Sequence, residues 1–276
     1  MTDDSAQDFH ILRLGYQDRV NYMPLLYPLQ SGWVVPDRPW APVLLHDHPH
    51  ALLELLLEGS IDAAFIAPLG LTRHAHLLTP LGGWAMLSEG SCATALLLAP
   101  RRLDFMDKGG VLVSHAARHS TAEHLLKLLL KPYYGIQLTL HLPGSADPQA
   151  TSARLLYGDE APVEAQKRPQ GWVAEDLGVA WYVFTGMPVI WEMLAVRRDL
   201  DARKPGATAA LHELLSRSHR SAHEQLAAIV QEATRRVGLS KKVIKDLFDR
   251  QRYTTDQRGQ KALAHFLDLA TRMRDA

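Results

Sequence analysis

Short apolar runs alternate with amphipathic segments over the first two-thirds of the chain, and that alternation restricts the fold more than any single residue does. Residues 11–14 and 42–45 have the length and composition of buried strands. Pro49–Glu58 has helical spacing and stops at Gly59, and residues 61–66 are predicted as another strand. A β-α-β-α-β start of this kind packs as a parallel sheet covered by helices. Two strand-like runs follow at 83–87 and 93–98, separated by the turn Ser88-Glu89-Gly90-Ser91. The strand-then-helix theme returns at 111–113 and 120–131, and further strands are predicted at 136–140, 154–157 and 189–196, with a helix between the last two. From Asp199 onward the patterning is helical, at 211–218, 222–237, 241–249 and 260–273, with no strand of comparable strength. A duplicated sheet unit followed by helices predicts an α/β protein of two lobes, and 276 residues exceed the usual size of a single core. The chain is expected to cross near Leu98 and return near Val189, which puts residues 1–98 and 190–276 in one lobe and 99–189 in the other. Ligand pockets favour the cleft between such lobes.

Charge and cysteine content narrow the function classes. The 30 basic and 30 acidic residues cancel, which argues against non-specific nucleic-acid or anionic-membrane binding, both of which depend on excess Lys and Arg. Cys92 is the single cysteine, so no disulfide within the chain and no cysteine-based zinc site can form. The amino-terminal residues are acidic and polar where a signal peptide would be basic and then apolar, and the longest apolar runs fall far short of the roughly 20 residues that span a bilayer. A cytoplasmic location is the expectation. Nothing in the residue pattern specifies an oligomeric state.

The segment from Arg13 to Leu25 leads an apolar strand through Gly15 into a polar seam containing Asn21, and Pro24 favours the first turn of a following helix. At the carboxyl end of a strand an uncharged amide can donate to an oxyanion, or it can simply close the turn. His46-Asp47-His48-Pro49-His50 has metal-ligating residue types, but it falls on a strand-to-helix bend where alternate side chains diverge and Asp47 or His48 can cap the helix, so no metal is assigned. Arg235, Arg236, Lys241 and Lys242 read as a solvated helix face, because Glu232 and Asp246 flank them. Cys92 has no visible histidine partner and reads as packing.

With these elements in place, the chain resembles the chorismate dehydratases of the futalosine route to menaquinone. The resemblance rests on Leu14-Gly-Tyr, Asn21-Tyr-Met-Pro24, Leu57-Glu-Gly-Ser-Ile-Asp-Ala-Ala64, Gly90-Ser-Cys-Ala-Thr-Ala-Leu96 and the helix-opening Ser120-Thr121. Leu155-Leu-Tyr-Gly-Asp159, Asp176-Leu-Gly-Val-Ala-Trp181, Thr185-Gly-Met-Pro188 with Trp191, and Leu239-Ser-Lys-Lys with Tyr253 extend it. It implies a two-lobed periplasmic-binding-protein type II fold with C-terminal helices, and it marks Asn21 and Thr94 as the residues of turnover. Thr94 stands where that family usually has serine, and Asp18-Arg19 is more charged than the usual apolar seam. Two alternatives share the fold: a cytoplasmic small-carboxylate-binding protein, and the sister enzyme 1,4-dihydroxy-6-naphthoate synthase. The run Leu14-Gly15-Tyr16, Asn21 and Pro24 fits the dehydratase better.

The reaction so implied removes water from chorismate, a dicarboxylate, to give 3-[(1-carboxyvinyl)oxy]benzoate. The ring proton at C3 is acidified through the conjugated carboxylate, and the anion expels the C4 hydroxyl as the ring becomes aromatic. The chain must orient a dianion and stabilise the charge that develops, a task for preorganised neutral donors such as Asn21 and Thr94, with no metal or organic cofactor. Ser120 or Thr121 can cap the next helix while its free N–H groups receive a carboxylate, with Arg118 or His119 adding charge. Three proton acceptors stay open: Asp159, His115 and the substrate's own enolpyruvyl carboxylate.

Overall fold

The computed structural model describes residues 10–106, 111–115, 120–141 and 153–272. Two sheets share one strand order. In the first, β1 (His10–Tyr16) runs parallel between β2 (Trp40–His46) and β3 (Ala63–Ile66), with Leu14 opposite both Leu44 and Ala63. β10 (Val189–Arg197) lies antiparallel beside β3, β4 (Leu78–Ser88) is antiparallel beside β10, and β11 (Gln251–Thr254) closes the edge. In the second sheet β6 (Val111–His115) runs parallel between β7 (Leu138–His141) and β8 (Ala153–Tyr157). β5 (Ala95–Ala99) is antiparallel beside β8, with β9 (Val173–Asp176) outside it. In each sheet the antiparallel fourth strand is the one by which the chain enters from the other lobe: β5 on the way out and β10 on the way back. The first crossing therefore lies between Ser88 and Ala95 rather than near Leu98, because residues 95–98 pair with β8 and β9.

The first lobe carries α1 (Met23–Gln30), α2 (Pro49–Glu58) and α3 (Pro68–Arg73). α2 stops where predicted, because Gly59 takes a left-handed φ of 80° and turns its N–H back onto the Leu55 and Leu56 carbonyls. The second lobe carries α4 (Thr121–Leu128), which widens into an i→i+5 turn through Tyr134, then α5 (Glu160–Gln166) and α6 (Leu177–Thr185). The C-terminal part holds α7 (Leu200–Arg203), α8 (Ala207–Glu224), α9 (Leu226–Val237), α10 (Lys241–Arg250) and α11 (Gln257–Arg272). The single helix expected over 222–237 is thus two, parted at Gln225. α8 and α9 pack on α1, while α11 touches β10 and α3 of the first lobe and α4 of the second. Leu12, Leu14 and Phe65 of the first sheet belong to the same buried cluster as Leu97, Val113 and Leu155 of the second. No helix among the described residues is long and apolar enough to cross a membrane.

Candidate functional site

Asn21 sits in a single tight helical turn, Val20–Tyr22, between β1 and α1. The turn is held from both sides. Tyr253 of β11, wholly buried, donates its hydroxyl to the Asn21 carbonyl at 2.7 Å. From the second lobe, both carboxylate oxygens of Asp159 accept the Val20 N–H at 3.0 Å. Burial outweighs those bonds and raises the Asp159 pKa above the usual carboxylate value, against the opposing pull of the Val20 N–H, Arg236 and Arg19. Asp159, one of the candidate proton acceptors, makes no side-chain cap on α5 and instead joins the lobes. Arg236 also leaves its own helix face, reaching the Asp18 carbonyl at 2.9 Å and the Asp18 carboxylate at 2.8 Å.

Thr94 lies on the first crossing, whose shape is fixed by Asp176. This N-cap of α6 accepts from the Gly178 N–H at 2.9 Å, the Ala93 N–H at 2.8 Å, the Cys92 N–H at 3.1 Å and the Ser91 hydroxyl at 2.8 Å. Gly178 is required at this place, since a Cβ there would lie 2.3 Å from the Gly90 carbonyl oxygen. Ala93 adopts a left-handed φ of 60° immediately before Thr94. The Thr94 carbonyl accepts the Gly158 N–H at 2.8 Å, one residue from Asp159, so the Asn21 and Thr94 segments meet through residues 158–159.

A group that sequence reasoning missed lies between them. Glu192 sits in the centre of β10, in the run Val-Ile-Trp-Glu-Met-Leu-Ala-Val, and is 4% exposed. Side chains 189 and 191 face one core cluster and 190 the other, but after position 192 the phase inverts, with 194 and 196 in the first and 193 and 195 in the second. The pairing with β4 slips there too, a bulge of the kind that re-aims a side chain. Glu192 is thereby turned to the seam, where its Oε1 accepts from Gln17 Nε2 and, at 3.3 Å, from the Tyr157 hydroxyl. Arg19 Nη1 stands 4.0 Å from the same oxygen, its guanidinium 4.0 Å above the centre of the Tyr157 ring. Burial pushes the Glu192 pKa up to about 7 against the pull of Arg19 and Gln17. The available signal was a lone carboxylate in an otherwise apolar strand, because a buried charge demands a partner.

Three oxygens at this seam are buried without a hydrogen-bond partner: Gln17 Oε1, Asn21 Oδ1 and Glu192 Oε2. Each orphan costs about 1–3 kcal/mol, so their concentration marks a place shaped for something else to bind. Ser120 caps α4 as predicted, accepting the Glu123 N–H at 3.2 Å. Thr121 donates its hydroxyl to the Trp191 carbonyl, fixing the start of α4 against the residue before Glu192. His115 ends β6 opposite Leu155; its side chain and all of Arg118 lie outside the described residues. Among the described residues no three His, Cys, Asp or Glu side chains are grouped to hold a metal ion. A cavity of about 350 Å³, lined by His219, His223 and Gln251 among others, also meets Pro24 of α1 and Tyr253, the residue that holds the Asn21 carbonyl.

A family model described as menaquinone biosynthesis matches residues 12–272. The chain belongs to that family. Membership places this menaquinone-biosynthesis protein in that pathway and implies that it is an enzyme. Among solved structures, protein AF1704 from Archaeoglobus fulgidus superposes with a TM-score of 0.76 at 16% identity, covering 99% of this chain and 100% of its own. The alkanesulfonate-binding protein SsuA from Xanthomonas axonopodis pv. citri, bound to MOPS, gives 0.68 at 17% identity over 96% of this chain and 93% of its own. The periplasmic aliphatic sulphonate binding protein SsuA from Escherichia coli gives 0.65 at 16% identity, covering 96% and 87%. At these identities the likeness is one of fold: the menaquinone-biosynthesis protein has the two-lobed periplasmic-binding-protein architecture with C-terminal helices.

Proposed function

We propose that the protein is a chorismate dehydratase, forming 3-[(1-carboxyvinyl)oxy]benzoate and water. The observation that carries this is the set of buried, unpartnered oxygens on Gln17, Asn21 and Glu192 beside the Arg19 cation, at the lobe seam of a menaquinone-biosynthesis enzyme. Orphan acceptors ask for hydroxyl protons and a half-buried guanidinium asks for a carboxylate; chorismate supplies both. Two neighbours of this fold are sulphonate-binding proteins, one of them bound to MOPS, which supports a small anionic ligand. Asn21 can meet the C4 hydroxyl with its oxygen and the developing carboxylate charge with its amide nitrogen, and Thr94, held by Asp176 and Gly178, adds a neutral hydroxyl. The start of α4, capped by Ser120, is the second anchor for a dianion.

The test follows loss of the cyclohexadiene absorbance of chorismate with wild type, Asn21→Ala and Thr94→Val. Asn21→Ala is expected to lose at least a hundredfold in kcat, the scale of removing one preorganised donor. Unchanged turnover in Asn21→Ala would end this assignment.

A further inference from the structure

Arg19 is a guanidinium in search of a partner. Its side chain is 16% exposed, it rests on the Tyr157 ring and on Gly158, and it also acts at longer range on Asp159; the one carboxylate within 4.0 Å of it among the described residues is Glu192, too far for the bidentate fork that arginine favours. Glu192 is equally unfinished: Oε1 takes neutral donors from Gln17 and Tyr157, while Oε2 is buried with nothing to meet. The pair is therefore built loosely, from one side by the β1–α1 connection and from the other by a bulge in β10.

We propose that Arg19 and Glu192 form an anion-exchange site: a carboxylate of the substrate pairs with the Arg19 guanidinium in place of ionised Glu192, and Glu192, staying where it is, takes up one proton from solvent as the ligand binds. This deepens the dehydratase assignment and rests on it. Two like charges beside one half-buried cation repel each other, so an incoming carboxylate disfavours the ionised form of Glu192. Protonation at Oε2 removes that repulsion, and it converts a buried orphan acceptor into a donor. Neutral Glu192 keeps its two bonds at Oε1, so the swap breaks neither Gln17 nor Tyr157. The charges around Glu192 permit this. From the β1–α1 connection the charge is Arg19, with Gln17 as a neutral donor; from the end of β8 Tyr157 adds its neutral hydroxyl. A carboxyl whose ionisation lies at about 7 changes state at modest cost near neutrality. Arg19 is thus a substrate-binding residue and Glu192 a positioning residue that decides when Arg19 is available.

The probe is the reaction product, 3-[(1-carboxyvinyl)oxy]benzoate, which carries both carboxylates and cannot be dehydrated again. Titration calorimetry in buffers of different ionisation enthalpy counts the protons taken up with it. Wild type is expected to take up close to one proton per ligand at pH 8 and close to none at pH 6, with affinity falling about tenfold per pH unit above pH 7. Glu192→Gln should abolish the uptake at pH 8 and flatten the affinity profile. Arg19→Met should weaken binding by tenfold or more and flatten the same profile. Product binding with no proton uptake by wild type at pH 8, or the same uptake in Glu192→Gln, overturns the exchange and leaves dehydration standing. The wild-type count needs no variant to fold. Absence of binding by both product and chorismate overturns the exchange and the dehydratase assignment together.

Discussion

Replacing Glu192 by glutamine removes a buried ionisable group while keeping its shape and the acceptor that Gln17 and Tyr157 use. The consequence for stability depends on pH, with a sign fixed by the direction of the shift. An exposed glutamate ionises near 4.5 and the buried one near about 7, so between those values the folded chain holds a proton that the unfolded chain has released. Wild-type stability therefore falls by roughly 1.4 kcal/mol per pH unit through this window, about 3 kcal/mol in all, and this group contributes no further slope above it. Glutamine does not titrate, so Glu192→Gln escapes the loss. Relative to its effect at pH 4, the substitution should gain about 3 kcal/mol by pH 8. Equilibrium urea unfolding followed by circular dichroism, at a slope of about 3 kcal/mol per molar, would show the variant's midpoint moving up against wild type by about 1 M. Parallel loss of stability in wild type and variant across pH 4.5–7 would refute the burial of Glu192 as an ionisable group.

Asp176→Ala leaves the Cys92, Ala93 and Gly178 N–H groups without their acceptor, and it should cost about 3–5 kcal/mol in urea unfolding with a drop in kcat as Thr94 loses its support. Tyr253→Phe removes one bond to the Asn21 carbonyl, for about 1 kcal/mol in the thermal midpoint, yet steady-state kinetics should show a larger proportional loss of turnover than of folded protein. Asp159→Ala strips the Val20 N–H of its partner across the seam and should raise KM for chorismate, while Asp159→Asn, which keeps an acceptor, should restore most of it.

The strand-then-helix spacing carried the two-lobed plan because burial on both faces leaves a continuous apolar run that periodicity detects. β9 and β11 escaped it for the opposite reason. Val173–Asp176 is half-buried throughout and ends in two acids, and Gln251–Thr254 turns in only Gln251 and Tyr253, so neither has an apolar face to read. The crossing was misplaced because residues 93–98 look the same whichever sheet accepts them; register decides, and register is long-range. Within the site, Ser120 was legible as a cap because its partner lies three residues on. Asp159, Asp176 and Tyr253 act across 139, 84 and 232 residues of sequence, beyond any local pattern. Glu192 was visible as a charge in an apolar strand, but its aim depends on a bulge that only the pairing with β4 defines.

Dehydration is tested most directly by the mass of what the protein makes from chorismate. Purified wild type incubated with chorismate, with chromatography and mass spectrometry of the products over time, is predicted to yield one species lighter than chorismate by one water, carrying an aromatic ring and an intact enolpyruvyl ether. Chorismate recovered unchanged, or converted to a product of any other mass, would contradict the account.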